Sequence, residues 1–318
     1  MPRPKKRYKK RPKTKRAKRS KKRSNKKTKT NSKKEFRKDN CNSANKFGGN
    51  KLPYTCYDKT TLIQIKDLWN KRHPDEKINS TNPWIIWKSL KNNMGSLCES
   101  EKCWLRQKFI KKKLPRNLMN KIFAPDVPKS WTKNPREWLS SVDISAVMKQ
   151  YENSFKNFMF LGPTPIDFDK KLDDGYVWDE IHNFDLEKSI KKGKTKFGFI
   201  FNTDAHDKDG THWIALYLDI YNKTQPYISY FDSNGIEIPH EIKVLVDRII
   251  DQAKSLNINL KFMQNHPLSH QNKDGECGIY TIYFITQLLQ NIKPISYFNT
   301  VKIPDNIMSN FRKIFFNI

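Results

Sequence analysis

From residue 51 onward the chain shows two kinds of hydrophobic pattern in succession. In residues 60–73, Leu62, Ile65, Leu68 and Trp69 recur three to four positions apart, which predicts an amphipathic helix. Residues 82–93 repeat the pattern with Ile85, Ile86, Trp87 and Leu90, and Pro83 suits the first turn, where a missing N–H leaves no bond unmade. Shorter helices fit 101–111 and 115–123. A longer one is predicted over 135–151, capped by Asn134 and carrying Trp138, Leu139, Ile144, Val147 and Met148.

After Phe160-Leu161-Gly162-Pro163 the period shortens. Residues 197–203, 213–220 and 227–231 are brief aromatic and β-branched runs bounded by Gly, Asp and Asn, the signature of strands. Residues 236–255 return to a helical period, with Ile242, Leu245, Val246, Ile249 and Ile250 on one side. Residues 259–263 read as another strand. Residues 279–289 are apolar almost throughout and long enough for a buried helix. No segment repeats another. The expected fold is α+β: a mixed sheet flanked by helices, with a helical region in front of it.

Charge adds a third region. Lys and Arg total 62 against 32 Asp and Glu, a formal +30. Residues 1–40 hold 22 of the basic side chains and two acids, Glu35 and Asp39, so about +20 sits there. That stretch has no apolar period and cannot offset chain entropy by burial, so it is expected to be disordered. The resulting division is a basic tail over 1–46, a helical region over 47–155 and a sheet-containing domain over 156–318. Such a tail binds polyanions through counterion release, which makes nucleic acid the expected partner of residues 1–40. A nuclear-import signal and a merely solubilising segment are the competing readings.

Five cysteines occur, Cys41, Cys56, Cys98, Cys103 and Cys277. Their odd number and wide spacing argue against a disulfide framework and for a reducing compartment. The N-terminus shows no apolar core of a signal peptide. No apolar run approaches the roughly 20 residues of a membrane helix, so no membrane association is expected. Cys98 and Cys103 with Cys56 and His73 make a poor zinc set, because the spacing is loose and no second close pair exists. No GxxxxGK[ST] loop is present, and neither a metal nor another cofactor is expected.

The candidate chemistry lies near the C-terminal end. A polar loop, residues 271–276, delivers Cys277 to the start of the apolar helix. Helix N-terminal amides favour thiolate over thiol and can face an oxyanion. Gly278 next to it would admit a substrate backbone. A lone cysteine in that setting is more often a small core residue. A thiol nucleophile also needs a base, and the base a partner. His212 follows Gly210-Thr211 and opens a strand, with Trp213 beside it. His206 is its rival, inside a charged loop. Asp232, at the end of the next strand, reaches the same sheet edge if the two strands run antiparallel, though an aspartate before Ser-Asn-Gly is commonly a turn residue.

His212-Trp213, Asp232 in a Tyr-Phe-Asp-Ser context, and Gln271 six residues before Cys277-Gly278 resemble the superfamily of ubiquitin-like-protein-specific proteases and adenovirus proteases. The resemblance implies a His, Asp, Gln, Cys order in which the Gln271 side chain joins the Cys277 amide in an oxyanion hole. It also implies that the region of Trp138 and Asp143 helps to hold an extended substrate tail; the plainer reading puts Trp138 in the core and Asp143 in solvent. Residues 98–110, 137–152 and 160–169 look like segments of the virion-maturation proteases of large DNA viruses, such as African swine fever virus and mimivirus-type giant viruses. Some of those enzymes carry Asn where this chain has Asp232.

The expectation is therefore a viral thiol protease that cuts structural polyproteins after Gly-Gly-Xaa sites. It would act in the virion and the cytoplasmic viral factory, or in the nucleus, with DNA as an optional tether. A deconjugase for ubiquitin-like modifiers and an inert, nucleic-acid-binding packaging protein are the alternatives. Gly48-Gly49 adds the expectation of a self-cleavage site or, more plainly, a flexible linker.

Overall fold

The computed structural model describes residues 36–47 and 52–317. Helices α1 (Lys59–Arg72) and α2 (Pro83–Met94) stand where the period places them, capped by Asp58 and Asn82, whose side chains accept from Thr61 N and Trp84 N. The helix expected over 101–111 breaks at Gln107, whose ψ of 132° is extended, into α3 (Glu101–Arg106) and α4 (Lys108–Lys111). With α5 (Leu118–Ile122), these helices enclose a core of their own around Leu62, Ile65, Trp69, Leu90 and Trp104.

The next helix, α6 (Ser141–Ser154), starts later than expected and is capped by Ser140, not Asn134. Ser140 and Asp143 form a reciprocal capping box, which outcompetes any start at residue 135 and leaves Trp138 and Leu139 in the preceding loop. Its apolar face, with Ile144, Val147 and Met148, lies in the sheet's core and not in that of α1–α5. The helical region expected to end at 155 thus gives its last helix to the sheet domain.

Strand β1 (Phe158–Pro165) leads through the small hairpin β2 (Lys171–Leu172) and β3 (Gly175–Tyr176) to helices α7 (Asp179–His182) and α8 (Leu186–Lys191). Strands β4 (Lys196–Asn202), β5 (Trp213–Asp219) and β6 (Tyr227–Phe231) follow, then α9 (His240–Ser255) and β7 (Lys261–Gln264). The chain closes with α10 (Cys277–Leu289), α11 (Ile295–Thr300) and α12 (Asp305–Phe315). The main sheet has the order β1-β4-β5-β6-β7. It is mixed: β4, β5 and β6 are antiparallel, whereas β1 joins β4 and β7 joins β6 in parallel.

Strand β1 escapes a pattern reading because Gly162-Pro163 interrupts it. Proline has no N–H for a ladder, yet β1 is an edge strand, and its register shifts between Leu161 and Thr164. Alternation along β5 and β6 sends Ala215, Tyr217 and Phe231 toward α10 and α6, and Leu216, Ile228 and Tyr230 toward α9. Helix α10 is buried along its whole length, which is why it is apolar on every side.

Residues 36–46, expected in the tail, belong to the folded body. Phe36 packs on Trp87 and Trp104, and the buried Asp39 accepts from Lys102 N at 2.7 Å. Asn40 Nδ2 donates to the carbonyls of Lys313 and Phe316. These partners come from distant segments, so charge content alone gave no hint of them. Residues 1–35 and Gly48-Gly49 lie outside the described residues.

The cysteines also depart from expectation. Cys41 pairs with Cys56 and Cys98 with Cys103 as disulfides, at Cα–Cα distances of 5.2 and 5.4 Å, leaving Cys277 as the free thiol. Cys41 forms a β-bridge with Phe123, and Cys98 precedes the bend that leads into α3, which carries Cys103. Spacing along the chain does not reveal such proximity. Among the described residues no helix is long and apolar enough to cross a membrane.

Candidate active site

Two strand ends build the site. His212 immediately precedes β5 and Asp232 immediately follows β6, and the antiparallel register of Ala215 with Phe231 brings both to one sheet edge. His212 Nε2 lies 2.6 Å from Asp232 Oδ1. Asp232 is 1% exposed. Its Oδ1 also accepts from Asn234 N at 2.8 Å and its Oδ2 from Ile236 N at 3.3 Å, so the turn after β6 fixes the carboxylate.

Cys277 is the first residue of α10, and its side chain interacts with the His212 ring that Asp232 also holds. Burial alone would pull the His212 imidazolium down. The bonds to Asp232 and Cys277 outweigh it and raise the group from 6.5 to about 9. Glu276 at the N-cap makes no side-chain cap bond, so it covers none of the N–H groups around Cys277. A thiol, an imidazole and a carboxylate in this order can transfer a proton off sulfur and hold it on the ring.

Gln271 is tied to the same turn. Its N–H donates to Ser233 O at 2.8 Å, and its Oε1 accepts from Ser233 Oγ at 2.9 Å. The structure therefore brings together His212, Asp232 and Cys277, and fixes Gln271 to the residue after Asp232.

The expected substrate contacts divide. Trp138 is 46% exposed and flanks Gly275 in the loop before Cys277. Trp213 is buried, and its Nε1 donates to Leu139 O at 2.9 Å, so it anchors the Trp138 loop from behind. Asp143 does not face a groove: its Oδ2 accepts from Ser140 N and Ser140 Oγ, as the α6 cap requires. Gly278 is packed against the loop that carries Leu139. A Cβ there would stand 3.0 Å from Leu139 Cβ, so the space it leaves is filled by this chain's own leucine. The rival His206 bonds to Asp167 at 2.6 Å instead.

Sequence reasoning missed the supports. Asn265 clamps the main chain of Asp232, and Arg312 of α12 donates to Glu137 O, Gly275 O and Glu276 Oε2. Neither residue stands in a pattern that marks it. Among the described residues no group of three or more His, Cys, Asp or Glu could hold a metal ion, and Cys56, His73, Cys98 and Cys103 do not converge.

Residues 189–317 match the model of the Ulp1 protease family, C-terminal catalytic domain. The chain carries a Ulp1-like cysteine protease domain. The match begins within α8, yet β1 supplies the edge of this protease domain's sheet and α6 part of its core. The chain is 26% identical over 271 residues to a protein of Acanthamoeba polyphaga mimivirus described as a candidate thiol protease, covering 80% of this chain and 84% of that one. It is 24% identical over 235 residues to a cysteine protease of African swine fever virus, covering 70% and 84%. The crystal structure of an African swine fever virus protease superposes with a TM-score of 0.62 at 20% identity, over 88% of this chain and 96% of that one. The fold around the protease domain, most of the helical region included, is thus shared.

Proposed function

We propose that the chain is a viral cysteine endopeptidase in which Cys277 is the nucleophile, His212 the base and Asp232 the group that orients it. The observation that carries this reading is the His212 ring, bonded to Asp232 and interacting with Cys277 at the start of α10. His212 takes the thiol proton as sulfur attacks the scissile carbonyl, and the Gln271 Nε2 and the Cys277 N–H donate to the oxyanion. The imidazolium then gives its proton to the departing amine, leaving a thioester. A water, deprotonated by His212, hydrolyses it and frees the thiol.

The substrate reading is a structural polyprotein cut after Gly-Gly-Xaa during virion maturation. Its support is the resemblance to virion-maturation proteases, together with the viral source of the relatives. The exposed Trp138 beside the nucleophile loop suits a wall over an extended, small-residue substrate tail. A second reading, removal of a ubiquitin-like modifier, is favoured by the family match and by a relative described as a SUMO-1 cysteine protease. Residues 1–40 would hold nucleic acid by charge, placing the enzyme in the virion or the viral factory.

The test is a Gly-Gly-Xaa fluorogenic peptide beside a SUMO conjugate, each with wild type and Cys277→Ala. Turnover of the peptide alone supports the polyprotein reading, and turnover of the conjugate alone supports the second. Equal rates for wild type and Cys277→Ala overturn both. Retention on DNA that weakens with salt and disappears when residues 1–40 are deleted tests the tail.

A further inference from the structure

We infer that Ser233 is a positioning residue of the protease, acting through Gln271, whose amide it holds by Oε1 so that Nε2 is left for the reacting carbonyl. This rests on the proposed role of Gln271 and adds the group that gives that role its direction. A glutamine side chain has a donor and an acceptor end of nearly equal shape. Turned one way, its Nε2 donates to an oxyanion. Turned the other, its Oε1 faces the developing negative charge and repels it. The bond from Ser233 holds the side chain in the first orientation.

Ser233 is fully buried, and its Oγ donates to Gln271 Oε1 at 2.9 Å. With Oε1 held by that hydroxyl, Nε2 is the end left for the substrate side. The main chain fixes the pair as well. Ser233 O accepts from both His270 N and Gln271 N, each at 2.8 Å, so the Gln271 backbone cannot drift away from the serine. A fluctuating side-chain bond becomes a fixed one.

The neighbour of Ser233 gives the arrangement its logic. Asp232 bonds His212, which reaches Cys277, while Ser233 bonds Gln271. Adjacent residues of one turn thereby set the base and the oxyanion donor relative to each other. Asn265 grips Asp232 N and Asp232 O from β7's end, and Gly235, with a φ of 71° that favours glycine, closes the turn against Leu268 and Ser269. A displacement of this turn moves both halves of the site together.

Ser233→Ala removes the donor and leaves the amide free to rotate. The expected result is a loss of about tenfold in kcat with KM little changed, because the interaction matters where the oxyanion forms. Gln271→Ala is expected to lose about a hundredfold or more. The double variant should be no slower than Gln271→Ala alone, since the serine acts only through the glutamine. Alkylation of Cys277 by iodoacetamide, a displacement at saturated carbon with no oxyanion, should keep the wild-type rate in Ser233→Ala.

The inference is overturned by a kcat within twofold of wild type, by losses that multiply in the double variant, or by alkylation that slows in step with peptide cleavage. Should Ser233→Ala fail to fold, Ser233→Cys, whose S–H is a weak donor, takes its place, with alkylation followed at Cys277 by peptide mass spectrometry. An inactive wild-type enzyme would instead remove the underlying protease mechanism, a result read before any Ser233 variant.

Discussion

The side chain of Asn265 holds the main chain of Asp232 from both directions: Asn265 Oδ1 accepts from Asp232 N at 2.9 Å, and Asn265 Nδ2 donates to Asp232 O at 2.7 Å. Both residues are buried, Asn265 at 2% exposure. Asp232 sits beyond the last ladder pair of β6, so this amide replaces the sheet as the frame for the carboxylate. Asn265→Ala leaves the Asp232 N–H unpaired and should cost about 1–3 kcal/mol of stability. Peptide cleavage should fall about tenfold or more, because His212 loses a fixed partner. Denaturant titration and steady-state kinetics on the same sample check it. Unchanged kcat would show that the turn holds Asp232 without help.

The His212 imidazolium is held up to about 9 against its burial by Asp232 and Cys277, and under the proposed mechanism it should set the alkaline limit of cleavage. The folded value lies above the unfolded one of 6.5, so its contribution to stability is complete below pH 6.5 and lost as pH rises through about 9. The same deprotonation removes the acid that the leaving amine needs, so cleavage should fall on the alkaline side near pH 9. In Asp232→Asn, which removes the strongest of the raising interactions, that limb should move to lower pH. A pH–rate profile from 6 to 10 for both proteins reads the shift. A limb that stays in place would detach His212 from Asp232.

Much of this architecture was legible in the chain, and the exceptions have physical causes. Strands β4, β5 and β6 fall within a residue of the aromatic runs that predict them, because a central strand buried on both faces leaves an uninterrupted apolar stretch. An edge position hides β1, where Gly162-Pro163 is tolerated. Helix α6 starts at Ser140 because a reciprocal cap decides the boundary more strongly than the apolar period does. At the site, His212, Asp232 and Cys277 stand at element ends that pattern reading can locate. Asn265 and Arg312 reach their partners from 33 and 36 residues away, a distance at which only the fold brings them together.

Thiol chemistry checks the cysteine pairing. Without reductant, a maleimide should label one cysteine of the unfolded chain, Cys277, since the other four are paired. Reduction should raise the count to five. The 15-residue loop closed by Cys41 and Cys56 ties residues 36–47 to the helical region, and its opening should lower stability by about 3 kcal/mol in the chain-entropy account. Mass spectrometry and thermal melts with and without reductant provide both readings. Five labelled cysteines in oxidised protein would show that these thiols do not pair.

Arg312 couples the C-terminal helix to the segment before Trp138 and to the loop before Cys277. It is 3% exposed, bonds Glu276 Oε2 at 3.0 Å through Nη2, and donates to Glu137 O at 2.9 Å and Gly275 O at 2.8 Å. Burial pushes the Glu276 carboxyl up, and the Arg312 charge opposes that. Arg312→Leu would strand a buried carboxylate and two carbonyls, so the loss should be about 3–5 kcal/mol. The sign of its pH dependence follows. With the cation gone, Glu276 is raised further and folding favours its protonated form, so the variant should be less destabilised at pH 5 than at pH 8. Glu276→Gln in the same chain should recover part of the loss at pH 8 by removing the charge. Cleavage should weaken chiefly in KM, since the freed carbonyls belong to the segment carrying Trp138 and to the loop before Cys277. Urea titrations at the two pH values, with peptide kinetics, decide the matter: a loss that is equal at both, and untouched by Glu276→Gln, would make Arg312 a packing residue and not the counter-charge of Glu276.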